Sequence, residues 1–300
     1  MDFEQAINTV YKSYDSMFRN DVLILSELDK FLKIASYWGD KPAYTVYNML
    51  LLKAQRPDAL HLMYEKELLD RRINIVPGAK RVSLISIDEQ TSKYTTFDLY
   101  DLKDTNCAKD DFYRIPTTDP RGTLSALIGA LMTVDWKVTH CTAGAVPWRD
   151  WARVGECDPN CIVASVTFRD PTEQEKMTIP PERIYVNQCK AIWKSFALAS
   201  LYYLDEFKSK GCFPNKYLPR AELFANLMCL RQQLTDSVDF ENIPEPIEGL
   251  KCPLKKFREL FSDVLYLMPE MCNNMDYWIE RDKNPKDPID VAVQEGGGGA

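Results

Sequence analysis

Apolar side chains recur at helical spacing from the start of the chain. Phe3, Ile7, Val10, Tyr11, Tyr14 and Phe18 predict a helix over residues 1 to about 18. A second helical stretch runs from Val22 to about Tyr37 and is broken by Trp38-Gly39 and Pro42. A third covers about Ala43 to Gln55 and stops before Pro57, and a short helix covers Glu65 to Arg71. The period then changes. RVSLISI (81–87) and KYTTFDLYDL (93–102) are rich in β-branched and aromatic residues and flank the polar turn DEQTS, which predicts a hairpin. A polar segment with two prolines follows at 106–122. Beyond it the pattern predicts a helix at 122–134, a strand near 135–140 and a long loop at 141–160. Two strands, 161–170 and 177–187, come next as a second hairpin, then helices at 188–209, 219–236 and 254–268. The expected class is α+β, with helices packed on small antiparallel sheets in two domains. These would be 1–105 and 122–295, with 106–121 as linker and the closing GGGGA (296–300) as a flexible tail.

Composition narrows the function classes. Hydrophobic residues are 45% and charged residues 27% of 300, the balance of a globular protein. The net charge is -7, so binding to nucleic acid would have to use a local patch. Residues 53–81 supply one: seven basic side chains (Lys53, Arg56, Lys66, Arg71, Arg72, Lys80, Arg81) against four acidic ones (Asp58, Glu65, Glu67, Asp70). No secretory signal, no membrane-spanning apolar run and an odd nine cysteines lead to the expectation of a cytoplasmic protein with reduced thiols.

Only two histidines, His61 and His140, are present. Zinc peptidase chemistry needs two imidazoles one helical turn apart and a glutamate to activate water, and nucleophilic catalysis needs a base. Neither set can be assembled from these two, and Gly-rich phosphate loops and nucleophile elbows are absent. No catalytic residue, metal site or cofactor is therefore expected. One structural-zinc alternative stays open: His140, Cys141, Cys157 and Cys161, set against the awkwardness of adjacent ligands on a strand.

One segment carries a family pattern. The residues Asn48, Leu51, Leu52, Gln55, Pro57 and Ala59, then Gly78 and Lys80, then Tyr100, Asp101, Leu102 and Thr105, follow one another with the order and spacing of the N-terminal domain of ArdC-type antirestriction proteins. The chain resembles that family, with Leu68 where the family usually has a tryptophan. The resemblance implies an N-terminal domain that binds single-stranded DNA and a zinc-metallopeptidase-like second domain. The second half matches by layout: a hairpin, a helix (189–207) and a later helix (220–234) in which Glu222 resembles the family's acidic ligand. FALASLYY stands where the family's H-E-x-x-H would be, so this domain reads as a degenerate peptidase without zinc ligands.

The candidate DNA-contacting residues are Lys53, Arg56, Lys80 and Arg81 for phosphates and Tyr44, Tyr47 and Trp38 for base stacking. Asn48 and Gln55 could hydrogen-bond bases or instead satisfy the fold's own backbone. The leading expectation is a non-catalytic single-stranded-DNA-binding accessory protein of a mobile genetic element, acting in antirestriction during plasmid conjugation. The alternative is an acidic interaction or decoy module that binds a host restriction or conjugation protein without DNA. A residual metal-dependent peptidase is the third reading.

Overall fold

The computed structural model describes residues 1–41, 44–59, 61–88, 91–107, 115–143, 150–154, 165–204, 217–236 and 251–283. The fold is α+β, and the chain divides into two compact units. The first comprises Met1–Arg114 and Ser237–Pro269, the second Ile115–Asp236 and Glu270–Ala300. The first division falls inside the segment expected as a linker. The others fall at 236–237 and inside the last helix.

In the first unit, helix α1 (Phe3–Asp15) starts in a capping box. Asp2 accepts from the backbone N–H of Gln5, and the Gln5 side chain accepts from that of Asp2. A two-residue ribbon, β1 (Phe18–Arg19) with β2 (Val22–Leu23), then turns through Asn20 and Asp21. Both have positive φ (51° and 63°), as a tight hairpin turn requires. Helix α2 (Leu25–Trp38) and helix α3 (Val46–Gln55) follow, then β3 (Leu62–Met63) and α4 (Glu65–Asp70). Strands β4 (Arg81–Asp88) and β5 (Lys93–Asp101) form the expected antiparallel hairpin, with β3 on the other side of β5. Pro77-Gly78 turns the chain into β4. Gly78 has φ 87° and the N–H of Ala79 donates to the carbonyl of Val76, the pattern of a type II turn.

The last helix, α9 (Leu254–Lys283), explains why the first unit takes in a late segment. Its Phe257 and Phe261 pack among Phe31 and Tyr14, with ring centroids 4.7–5.2 Å apart. The Tyr14 hydroxyl donates to the carbonyl of Cys252. Residues 253 to 268 therefore complete the aromatic core that α1 and α2 begin. Pro269, which has no N–H for the helical ladder, marks the division.

The second unit begins with α5 (Pro120–Thr133), capped by Asp119 with Pro120 at its first position. Its sheet has the order β6 (Lys137–Cys141), β8 (Ser165–Arg169), β7 (Ala152–Val154). The pair β6–β8 is parallel and the pair β7–β8 antiparallel, so this sheet is mixed rather than wholly antiparallel. The hairpin expected at 161–187 is not formed. Residues 161–164 lie outside the described residues, and the expected strand at 177–187 is helical instead. Helix α6 (Glu173–Thr178) is nucleated by a capping box of Thr172 and Glu175. Helix α7 (Pro181–Leu204) opens on a proline at its first position, where no N–H is needed. Two prolines and four β-branched residues (Thr178, Ile179, Ile184 and Val186) suggest a strand. The buried set Ile184, Gln188, Ile192 and Ser195 shows the helical period that won.

Helix α8 (Leu218–Arg231) packs against α7 through Phe196 and Phe224, 5.8 Å apart. Arg231 and Asp276 make a buried ion pair at 3.0 Å. The indole of Trp278 lies against Gly129, where any Cβ would come within 2.5 Å of the ring. The expected tail at 296–300 lies outside the described residues. No described helix is long and apolar enough to cross a membrane.

Candidate functional site

The polar residues of α3 are committed to the first unit's own framework. Strand β4 pairs with β5 along one edge, and its other edge faces α3. The Asn48 side chain donates to the carbonyl of Ile85 (2.9 Å) and accepts from its N–H (2.8 Å). Gln55 does the same to Ser83, at 2.9 and 3.0 Å. Two amide side chains thus stand in for a neighbouring strand. They satisfy four backbone groups that would otherwise be costly to bury. Of the two roles open for Asn48 and Gln55, the structure places both in the backbone one.

Lys53 is buried, with only 5% of its side chain exposed. It donates to Glu27 at 2.7 Å and to the Ser16 hydroxyl at 2.9 Å. Arg56 donates to Asp104 at 2.6 Å and lies within 3.4 Å of Asp58 and 3.6 Å of buried Asp101. The hydrogen bond to Asp104 leads the effects that raise its pKa. Tyr44 is buried and stacks on Trp38, itself buried, with centroids 4.3 Å apart. Burial pushes its hydroxyl pKa well up. Tyr47 is half-buried beneath Arg258, 5.7 Å from its ring.

Lys80 and Arg81 differ: both are exposed. Arg81 donates to the Tyr100 hydroxyl at 2.7 Å and lies 3.7 Å from Asp98. The nine candidates are therefore not one surface. Seven, Trp38 among them, are engaged by the fold, and Lys80 and Arg81 face solvent.

The exposed cations that join Lys80 and Arg81 are Lys66, Arg71 and Arg72. They belong to one neighbourhood because α4, the turn after it and β5 close around a small core of Leu68, Ile73, Tyr100 and Leu102, with Ala79 packed on it. Tyr64, which opens α4, is 46% exposed and its ring lies 5.5 Å from that of Phe97. Glu65, Glu67 and Asp70 are also exposed here. These extra cations were counted in the sequence as charge but not as site. The helical phase of α4, with Leu68 its one buried position, turns Lys66 outward, and Arg71 and Arg72 lie in the turn beyond the helix.

In the second unit, Glu222 on α8 is buried and shared by two lysines of α7. The ammonium of Lys194 lies 2.7 Å from one carboxylate oxygen and that of Lys190 lies 3.1 Å from the other. Burial pushes the Glu222 carboxyl up, but the hydrogen bonds and charges of Lys194 and Lys190 outweigh it and hold the pKa below the ordinary range. This arrangement does not fit the zinc site that the family resemblance implies. The two α7 positions one turn apart that face Glu222 carry ammonium groups, which repel a cation and already occupy the acidic residue. They also lie upstream of the FALASLYY stretch.

His140 and Cys141 sit side by side on β6. The His140 Nε2 lies 2.7 Å from an Asp170 oxygen, while the Cys141 sulfur lies 3.5 Å from the carbonyl of Phe168. Cys157 and Cys161 lie outside the described residues. Among the described residues no group of three His, Cys, Asp or Glu side chains is placed to hold a metal.

No family model matches the chain, and no curated protein matches it. Among solved structures it is similar to the Mn(II)-bound crystal structure of the antirestriction protein ArdC from plasmid R388. That likeness has a TM-score of 0.47 and 11% identity, over 95% of this chain and 100% of that one. It is also similar to the metal-free structure of the same protein, with a TM-score of 0.40 and 12% identity, over 78% of this chain and 83% of that one.

Proposed function

We propose that this protein binds single-stranded DNA without catalysis, as a cytoplasmic antirestriction-type accessory of a mobile element. The strand would run over the exposed cations Lys66, Arg71, Arg72, Lys80 and Arg81. The observation that carries the reading is that these five project from segments gathered around one small core, beside the exposed ring of Tyr64. Cations hold the phosphates and an aromatic face supports a base, which are the two requirements of single-strand binding. The family pattern quoted above lies in the same unit. Its Asn48, Gln55, Gly78 and Asp101 build the framework that presents the cations. The non-catalytic part rests on Glu222, whose carboxylate is held by two lysines.

Titration with a fluorescent single-stranded oligonucleotide at low salt tests this reading. The expected result is saturable binding that Lys80→Glu with Arg81→Glu abolishes. Absence of binding at low salt overturns it. One observation favours a second reading: Glu65, Glu67 and Asp70 are exposed among the cations, and such a mixed-charge face suits a host restriction or conjugation protein. Under that reading the double variant leaves oligonucleotides unbound in both forms and weakens a protein partner instead.

A further inference from the structure

Arg81 is one of the five exposed cations, and the fold fixes its head. It stands directly opposite Tyr100 across the β4–β5 ladder. The backbone of Tyr100 is held between β3 and β4, and its ring packs with Leu68, Ile73 and Leu102, only 6% exposed. The Nε of Arg81 donates to the Tyr100 hydroxyl at 2.7 Å, and the guanidinium carbon lies 5.8 Å from the ring centre. A guanidinium has five N–H donors, and this bond takes one. The other four sit on the two Nη atoms, at the end of a side chain that is 62% exposed. One carboxylate competes for them. The Oδ2 of Asp98 lies 3.7 Å from Nη1, an ion pair longer than a hydrogen bond, while its Oδ1 accepts from the Ser83 hydroxyl at 2.5 Å.

We propose that Arg81 grips one phosphodiester of the strand through both Nη atoms, that Tyr100 is the positioning residue that aims it, and that Asp98 is a competing carboxylate which the phosphate displaces. This rests on the DNA reading above and assigns residues within it. Two Nη donors presented end-on match the two non-bridging oxygens of a phosphodiester, and such paired bonds are charge-assisted. A guanidinium already tied at Nε to a buried, rigid partner has less freedom to lose on binding. Asp98 is itself tied to Ser83. Binding therefore exchanges one long carboxylate contact for two short phosphate ones.

The test is fluorescence anisotropy of a labelled oligothymidylate with the full chain at low salt. Tyr100→Phe changes no charge. It should weaken binding about threefold, leave the slope of log K against log salt unchanged, and have no further effect in Arg81→Ala. A merely structural tyrosine would cost the same with and without Arg81. Asp98→Asn should tighten binding about threefold, and most of that gain should vanish in Arg81→Ala. If Tyr100→Phe fails to fold, the pair of Asp98→Asn measurements still decides. Unchanged binding in Tyr100→Phe, an equal loss in both backgrounds, an altered salt slope, or unchanged or weaker binding in Asp98→Asn each overturns this proposal and leaves the DNA reading standing. No binding by the unaltered protein overturns both.

Discussion

Among the described residues each unit has a glutamate shared by two lysines, and the two sets sit in different surroundings. In the first, Glu27 takes Lys30 at 2.5 Å and Lys53 at 2.7 Å. In the second, Glu222 takes Lys190 and Lys194. Both carboxyls have lowered pKa values. For Glu27 the Lys30 and Lys53 hydrogen bonds lead, whereas for Glu222 the lysines must overcome burial. Lys30 is more than half exposed and Glu27 keeps access to water, while Lys53 spends a further donor on Ser16. That set is a brace between α2, α3 and the end of α1. The second set is buried at its acid, and both of its lysines border a cavity. The ion pairing is the same, and the surroundings differ: one set ties α1, α2 and α3 together, and the other borders a cavity.

Removing lysines should separate the two. Lys190→Met with Lys194→Met leaves Glu222 buried without a partner and should cost about 3–5 kcal/mol in denaturant unfolding. Adding Glu222→Gln should recover most of it. Lys53→Met should cost only about 2 kcal/mol, because Glu27 retains Lys30 and water. Equal losses would erase the distinction. The acid response sharpens it further. A lowered folded pKa contributes stability that is present above the ordinary carboxylate range and lost as pH falls through the folded value. Stability measured against pH should therefore lose part of its acid limb in Glu222→Gln.

The framework around the cations can be broken separately. Gln55→Ala leaves the N–H and carbonyl of Ser83 without side-chain partners and should cost about 2 kcal/mol. Asn48→Ala should do the same at Ile85. Arg169 and Glu175 offer a comparison in the second unit, joined by two hydrogen bonds of 2.8 Å. The Arg169 bonds lead the effects that bring Glu175 from 4.5 to about 2. Glu175→Gln should cost about 2 kcal/mol at neutral pH, a difference that vanishes as pH falls from 4.5 towards 2. Lys80→Glu with Arg81→Glu should change stability least, within about 0.5 kcal/mol.

Much of the first unit was legible as periodicity. The helices and the β4–β5 hairpin fall within a few residues of expectation, because half-buried elements write their burial into spacing. Pairing was less legible. Lys53 and Arg56 look the same in sequence as Lys80 and Arg81, and only distant partners such as Glu27 and Asp104 tell them apart. The start of α7 was hidden by prolines and β-branched residues that suit a strand equally well. The return of Phe257 and Phe261 to the first unit's core is long-range, and local pattern carries no trace of it.

The most direct test of the proposed function is the salt dependence of single-stranded oligonucleotide binding. Four or five phosphate contacts predict a slope of log K against log salt of about -3, and loss of Lys80 and Arg81 to alanine should reduce its magnitude by about 1.4. The same slope in Lys53→Met would place that buried lysine outside the contact. No binding at low salt, or a slope indifferent to Lys80 and Arg81, would contradict the assignment of DNA to this face.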